Sequence, residues 1–415
     1  MRRILIVGAG QAGLQLALSL LAEGYAVTVM SARTPEEIRA GRIMSTQCMF
    51  GPSLQIERER GLNLWEEQAP KIVAQRLTLA DPPGTAAFGF VGRWDAYAQS
   101  VDQRVKMAGW LELFESRGGE VVYHGVMTSD LEGLSAMYDL TIIAAGKGDL
   151  VELFDRDDAR SPYDRPQRAL SCVYLHGDTL MPEYPEPHVR ITAFPGVGEL
   201  IFMPGYTNTG PCGILLWEAV PGGPLDCWDD KPSPEEHRDR TLDLMRSYAP
   251  WEYERWVDSE PTDGRCTLYG GYAPVVRRPV GRLSASSHVL GMADVVVAND
   301  PVTGQGSNNA ARSADVYFRS ILERGEKPFD PEWMQRTFDA YWDFAQHVCA
   351  YTNMMLGPLP EHVQGILATA AHNPAVAYRF AKGYTDPSDF RHWLMDPEKA
   401  EAFLASVADQ STAAP

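Results

Sequence analysis

The chain has 415 residues, more than one ordinary hydrophobic core holds, so two closely packed domains or one domain with a large insertion are expected. Its 37 Lys and Arg against 55 Asp and Glu give a formal charge of −18, and the basic residues are scattered, which argues against nucleic acid as a partner. The six cysteines (Cys48, Cys172, Cys212, Cys227, Cys266, Cys349) include no C-x-x-C pair and signal neither a zinc site nor a disulfide framework, so no metal is expected.

The opening "MRRILIVGAGQAGLQLALSLLA" has the basic start and apolar run of a secretory signal. Its regularly spaced glycines and missing small-x-small cleavage site point elsewhere. No other run is long enough to span a membrane, so a soluble, cytoplasmic protein is expected. "RILIV" reads as a buried parallel strand, "LQLALSLLAEG" as a helix ended by Gly24, and "YAVTVMS" as a second strand. This β-α-β unit has about the 30 residues of a dinucleotide-binding start. In the loop between strand and helix, Gly8 allows the tight turn, Gly10 lets the backbone approach a pyrophosphate, and Gly13 brings helix and strand together. Ala9, Gln11 and Ala12 complete that loop, and the helix N-terminus offers its unpaired N–H groups. The second strand ends Met30, Ser31, Ala32, Arg33, without the acidic residue that usually holds the adenosine ribose. That absence predicts a weaker hold on the adenosine half, with Arg33 kept as a candidate cofactor contact.

Residues 101–118 read as an amphipathic helix stopped by Gly118 and Gly119 and followed by the strand "EVVYHG". "YDLTIIAAGKG" is another buried strand running into a glycine turn at Ala145 and Gly146, where a doubly wound sheet presents its ligand edge. From about 165 to 285, β-prone runs punctuated by Pro and Gly suggest an inserted antiparallel sheet. Phe202, Met203 and Trp217 are its candidate pocket residues, though plain core is the better account of most such side chains. "HVLGMADVVVAND" returns to buried-strand character, and the chain turns helical after Gly306 to about 325. The remainder looks like a helical cap ending in a frayed "DQSTAAP". The expected fold is α/β, with a Rossmann-like nucleotide-binding part at 1–160 and 286–330, an inserted β-sheet substrate domain at 161–285 and a helical region at 331–415.

The second glycine-rich stretch, "NDPVTGQGSNNA", faces the far end of an extended cofactor if the first holds its pyrophosphate. A helix starting after Gly304, Gln305 and Gly306 aims unpaired N–H groups, Ser307 and Asn308 included, at whatever precedes it, which suits the negative charge of a reduced isoalloxazine. Asp294 is placed to accept ribityl hydroxyls or, alternatively, to cap a turn. Asn308 and Asn309 are flavin ligands or first-turn caps. Pro301 fixes the backbone beside the ring, and Val302 then faces substrate.

In this order and spacing "GAGQAG", "SVDQR", "AAGKG", "GMAD" and "NDPVTGQGSNNA", with "RSPYDRPQRAL" at 160–170, resemble the styrene and indole monooxygenase family over nearly the whole chain. These are the oxygenase components of two-component flavin monooxygenases. The resemblance implies the aromatic-hydroxylase type of FAD-binding fold, and reduced FAD delivered by a separate NADH-dependent flavin reductase. With O2, that flavin supplies an electrophilic oxygen that epoxidises an electron-rich double bond of a small aromatic substrate such as styrene or indole. A homodimer is implied as well. The absence of a second β-G-x-G-x-x-G-α unit and of the ribose carboxylate agrees with a flavin that comes and goes.

The resemblance places Arg42 and Arg104 near the flavin or its phosphates. "RIMSTQCMF" at 42–50 falls where styrene epoxidases carry Arg-x-x-Asn-Thr beside the flavin. Here Ser45 replaces the asparagine, Thr46 is kept, and Gln47 stands at an apolar position; Met49 follows as a candidate substrate contact. The polar Ser45 and Gln47 favour a substrate with an N–H, such as indole, or satisfy buried backbone. A one-component NAD(P)H-dependent aromatic hydroxylase, a flavin amine oxidase and a non-catalytic flavin-binding protein remain the alternatives.

Overall fold

The computed structural model describes residues 2–146, 148–177 and 180–411; Lys147 of "AAGKG" and the last four residues of the expected frayed end lie outside the described residues. The strands are β1 (Arg3–Val7), β2 (Ala26–Ser31), β3 (Ile72–Ala80), β4 (Ala86–Ala98), β5 (Glu120–Tyr123), β6 (Leu140–Ile143), β7 (Ala169–His176), β8 (His188–Phe194), β9 (Gly198–Thr207), β10 (Gly210–Ala219), β11 (Glu260–Pro261), β12 (Thr267–Gly270), β13 (Val275–Val276), β14 (Val280–Arg282), β15 (His288–Gly291) and β16 (Val297–Ala298). The helices are α1 (Gln11–Ala22), α2 (Pro35–Arg39), α3 (Gly51–Glu59), α4 (Gln103–Ser116), α5 (Leu131–Ser135), α6 (Pro234–Tyr248), α7 (Pro250–Trp256), α8 (Gly306–Arg324), α9 (Pro331–Met355), α10 (Glu361–Ala370), α11 (Pro374–Thr385) and α12 (Pro397–Ser411).

β1 is buried from Ile4 to Val7 without alternation, as a strand covered on both faces must be. It lies inside a sheet ordered β14-β15-β6-β1-β2-β5, parallel except for β14. The parallel strands, numbered by their own chain order, run 3-2-1-4-5, so the switch point lies between β1 and β6. α1 and α8 pack against each other beside this sheet. One core runs from β1, β2 and β6 through α1, α4 and α8 into the start of α9.

The second sheet is ordered β11-β7-β10-β9-β8-β3-β4, with β12 also paired to β7. Two expectations are corrected here. The sheet is mixed, because β3 pairs with β8 in parallel. It also takes β3 and β4 from 72–98, inside the stretch assigned to the nucleotide-binding part, while β14 of the first sheet precedes residue 286. Neither β3 nor β4 shows a clean alternation: "IVAQRLTLA" carries Gln75 and Arg76 at its middle, and β4 mixes glycines and charges with aromatics. Tertiary cover decides both. α11 lies on β4, where Trp94 Nε1 donates to the Ala381 carbonyl at 3.0 Å and Phe90 meets Phe380 edge-on at 5.8 Å. The C-terminal helices α10–α12 therefore belong to the core of the second sheet.

Candidate active site

Three loops leave the carboxyl ends of β1, β6 and β15 and touch one another. Gly8 is at φ +121°, and a Cβ there would come within 2.7 Å of the Ala144 and Ala145 backbone. A Cβ on Gly13 would lie 2.1 Å from the Gly8 carbonyl oxygen, so helix and loop meet backbone to backbone. A Cβ on Gly146 would lie 2.9 Å from the Asp294 Cβ. Asp294 is exposed and follows Ala293, a non-glycine residue at φ +54° whose amide donates to Ser313 Oγ at 3.3 Å. At Gly10, by contrast, a Cβ would meet nothing within 4 Å, and this N-cap of α1 has no side-chain cap. Gly10 thus leaves an approach open at the start of α1, where the first backbone N–H groups of a helix lack intrahelical partners and suit an anion. Gln11 differs from its expected role in one respect: only its backbone belongs to this loop. Its side chain turns inward to Glu57 Oε1 at 2.9 Å and Gln15 Oε1 at 3.2 Å, and Glu57 also pairs with the buried Lys106. Burial pulls the Lys106 ammonium below its usual range against the opposing pull of Glu57.

The second loop is built from side-chain bonds. Asp300 accepts from the Val302 amide at 3.1 Å and starts the 3-10 turn Pro301–Thr303, which Gly304 closes at φ +64°. Half-buried Pro301 precedes buried Val302 in that turn. α8 then begins at Gly306, with no side-chain cap and open space where a Cβ would stand. Asn308 is neither a free ligand nor a cap. Its Oδ1 accepts from the Phe50 amide at 2.9 Å, and its Nδ2 donates to the carbonyls of Cys48 (2.8 Å) and Gly304 (3.0 Å). It clamps segment 48–50 to the loop. Gln305 likewise spends its side chain on the Tyr384 carbonyl, 2.8 Å away in α11. Ser307 Oγ and both polar side-chain atoms of Asn309 are buried without a hydrogen-bond partner among the described residues.

Arg104 is corrected as a flavin contact. Its guanidinium holds Asp102 (2.8 Å), Asp263 (2.9 Å) and Thr207 Oγ1 (3.1 Å), and it is 1% exposed. Two carboxylates consume this cation, joining the start of α4 to the loop after β11. Arg42 is exposed and reaches Thr267 Oγ1 at a long 3.4 Å, and exposed Arg33 reaches the Met44 sulfur at 3.5 Å; neither is paired with a carboxylate among the described residues.

Segment 45–49 runs from Tyr174 of the second sheet to α3 and α8. Ser45 Oγ donates to Gln47 Oε1 at 2.6 Å, and the Ser45 carbonyl accepts from Tyr174 Oη at 2.7 Å. Gln47 Nε2 is buried with no hydrogen-bond partner among the described residues, Thr46 is half-buried, and Met49 packs with Leu54 and Ala311. Register settles which strand residues face this segment. Tyr174 of β7 pairs with Ile214, and Ile214 with Met203, so Met203 shares the inner face. Phe202 and Trp217 are on the other face and are not pocket residues: Phe202 packs at 5.3 Å on Trp256 of α7, and Trp217 Nε1 reaches Thr241 Oγ1 of α6 at 3.3 Å. Alternation says that 202 and 203 point oppositely but not which one meets the cleft. Sequence reasoning also missed Phe50, whose ring lies 5.2 Å from Trp94 and 6.4 Å from Tyr384 and borders Gly304. The aromatic-rich C-terminal third was its only signal.

Cleared approaches at Gly10 and Gly306, uncapped helix starts at both loops, and partnerless buried groups at Ser307 and Gln47 fit an elongated anionic cofactor lying from one loop to the other. Comparison with known proteins agrees. The chain is 30% identical over 411 residues to the styrene monooxygenase StyA of Pseudomonas fluorescens, covering 96% of each. It belongs to the styrene monooxygenase family. A second styrene monooxygenase StyA, from a Pseudomonas species, is 29% identical with 98% of each chain covered. Residues 146–255 match the family described as "Styrene monooxygenase A putative substrate binding domain". The fold is shared with p-nitrophenol 4-monooxygenase PnpA of Pseudomonas putida DLL-E4, at a TM-score of 0.60 and 13% identity over 96% of this chain and 98% of that one. As a member of the styrene monooxygenase family the protein is a flavin-dependent monooxygenase. No helix among the described residues is long and apolar enough to cross a membrane, and none of their His, Cys, Asp and Glu side chains group to hold a metal ion.

Proposed function

We propose that this chain is the oxygenase component of a two-component system, taking reduced FAD from an NADH-dependent reductase and using O2 to epoxidise a vinyl group conjugated to an aromatic ring. The observation that carries the reading is the pair of uncapped helix starts, at Gly10 and Gly306, each with a glycine-cleared approach, the second joined to segment 48–50 through Asn308. Bound flavin would supply the oxygen-transfer chemistry. The loop at 8–13 with Arg42 and Arg33 binds its phosphates, Asp294 its ribityl hydroxyls, and the α8 start with Pro301 and Ser307 the ring. Met203, Met49, Val302 and Phe50 supply apolar walls that exclude water, and Ser45, Thr46 and Gln47 orient the reactants.

Styrene-like substrates rank ahead of indole in this reading. Gln47 Oε1 already accepts one bond from Ser45 and its partnerless Nε2 is a donor, so Gln47 has only the second lone pair of that oxygen to offer an indole N–H. The test is aerobic turnover of styrene and of indole with chemically reduced FAD. Epoxide from styrene, with no turnover when NADH and FAD are given without a reductase, is the expected result. Turnover on NADH alone would replace this reading with a one-component hydroxylase, and peroxide without oxygenated product would replace it with an oxidase.

A further inference from the structure

Beside the second glycine loop lies a group of charges that flavin binding does not explain. Glu218 of β10 is fully buried, and its cross-strand neighbour on β9 is Glu199. Arg168, just before β7, is committed to Glu199, with Nε to Oε2 at 2.7 Å and Nη2 to Oε1 at 2.8 Å, and its Nη1 serves the carbonyls of Gln167 and Leu356. Among the described residues neither oxygen of Glu218 meets an N–H or O–H donor. The carboxyl of Asp300, 2% exposed and turned toward the Val302 amide, is the buried acid of the neighbouring loop whose charge acts on Glu218. Two ionised carboxylates are both acceptors and repel each other away from water, so buried Glu218 beside Asp300 is accommodated when one of the two carries a proton. Three ionised carboxylates around one guanidinium would also leave two uncompensated charges away from water. Tyr272, whose hydroxyl donates to the Asn299 carbonyl, and Tyr384 of α11 also face the group, and neither supplies a positive charge. Burial and the neighbouring Asp300 push the Glu218 carboxyl well above the ordinary carboxylate range, and burial raises Asp300 as well.

We propose that Glu218 and Asp300 share one proton, and that this acid–carboxylate pair is a positioning element: it holds the loop at 300–304 to the second sheet and keeps a second negative charge away from the start of α8. The consequence for reduced flavin, an anion, rests on the reading of the site given above. With the proton in place the loop offers a helix N-terminus and one balanced carboxylate pair. Without it, two like charges separate the loop from β10 and repel the ligand.

Infrared spectroscopy of the whole protein at pH 7 tests the proton directly. The wild-type minus Glu218→Gln difference spectrum is expected to contain the C=O stretch of one protonated carboxylic acid, moving in D2O. Anaerobic titration with chemically reduced FAD tests the positioning role: affinity of the wild type falls about fivefold or more from pH 7 to pH 9.5, roughly 1 kcal/mol, and Glu218→Gln, which cannot ionise, loses that fall. Absence of the acid band, or the same fall in the variant, overturns the proposal. Should Glu218→Gln not fold, wild type labelled with 13C at both its glutamate and its aspartate carboxyls reads the same band whichever residue holds the proton, and its absence is equally decisive. Failure of the wild type to bind reduced FAD at any pH would count against the flavin-site reading, and the band alone would then judge the proton.

Discussion

The two glycine-rich loops do similar work by different means. The loop at 8–13 is shaped by backbone meeting backbone, since Gly13 leaves no room for even a methyl against the Gly8 carbonyl and Gly8 none against Ala144. The loop at 300–309 is shaped by side chains: Asp300 caps its turn, Thr303 meets Thr352 of α9 at 2.6 Å, Gln305 reaches α11, and Asn308 clamps segment 48–50. A loop of the first kind depends on what is missing from it. A loop of the second kind depends on partners elsewhere in the chain, and a substitution at a partner can dismantle it.

Gly13→Ala should break the first loop outright. With a backbone oxygen 2.1 Å from the new Cβ, overpacking costs about 3 kcal/mol, and flavin binding is lost with it; a variant melting with the wild type and still binding FAD would show that α1 shifts at little cost. Asn308→Ala comes next. It leaves the Phe50 amide and the Cys48 carbonyl without their partner and should destabilise by about 2 kcal/mol in denaturant unfolding, an unchanged midpoint being the result against it. Gly10→Ala sharpens the contrast, because nothing stands within 4 Å of its Cβ. Stability should stay within about 0.5 kcal/mol, while FAD affinity falls about tenfold. Equal FAD affinity in calorimetry would mean that no phosphate approaches there.

The smallest effect concerns pH and belongs to the second loop alone. The Glu218 and Asp300 carboxyls are raised in the folded protein by burial, so their contribution to stability is complete below the ordinary carboxylate range. It is lost as pH rises through their raised values. Melting temperature should therefore decline by a few degrees more in wild type than in Glu218→Gln on going from neutral to alkaline pH, and parallel curves would contradict that.

The same contrast explains what could be read from the sequence. "GAGQAG" between an apolar strand and an apolar helix is a local pattern whose constraint lies inside the motif, so the loop, β1, α1 and β2 are legible in it. The second loop was legible as a helix start, but not the tasks of Gln305 and Asn308, whose partners Tyr384 and Phe50 are far away in the chain. Arg104 fails for the same reason. Only the fold brings Asp263 to it, turning an expected flavin contact into a buried structural pair. Phe202 and Trp217 failed on strand facing, and β3 and β4 because cover from α11, not their own alternation, makes them strands of the second sheet.

The tethers from the second loop to α9 and α11 also bear on how the molecule can be cut and rejoined. Residues 331–415 follow the nucleotide-binding elements in the chain, yet Thr352 and the Tyr384 carbonyl hold the turn from which α8 starts. The carboxyl-terminal helices are thus no detachable module. A fragment ending near residue 330 would retain the whole parallel sheet but release the turn at 301–305, whereas a fusion joined beyond α12 leaves both tethers intact, making that end the place to attach a second enzyme.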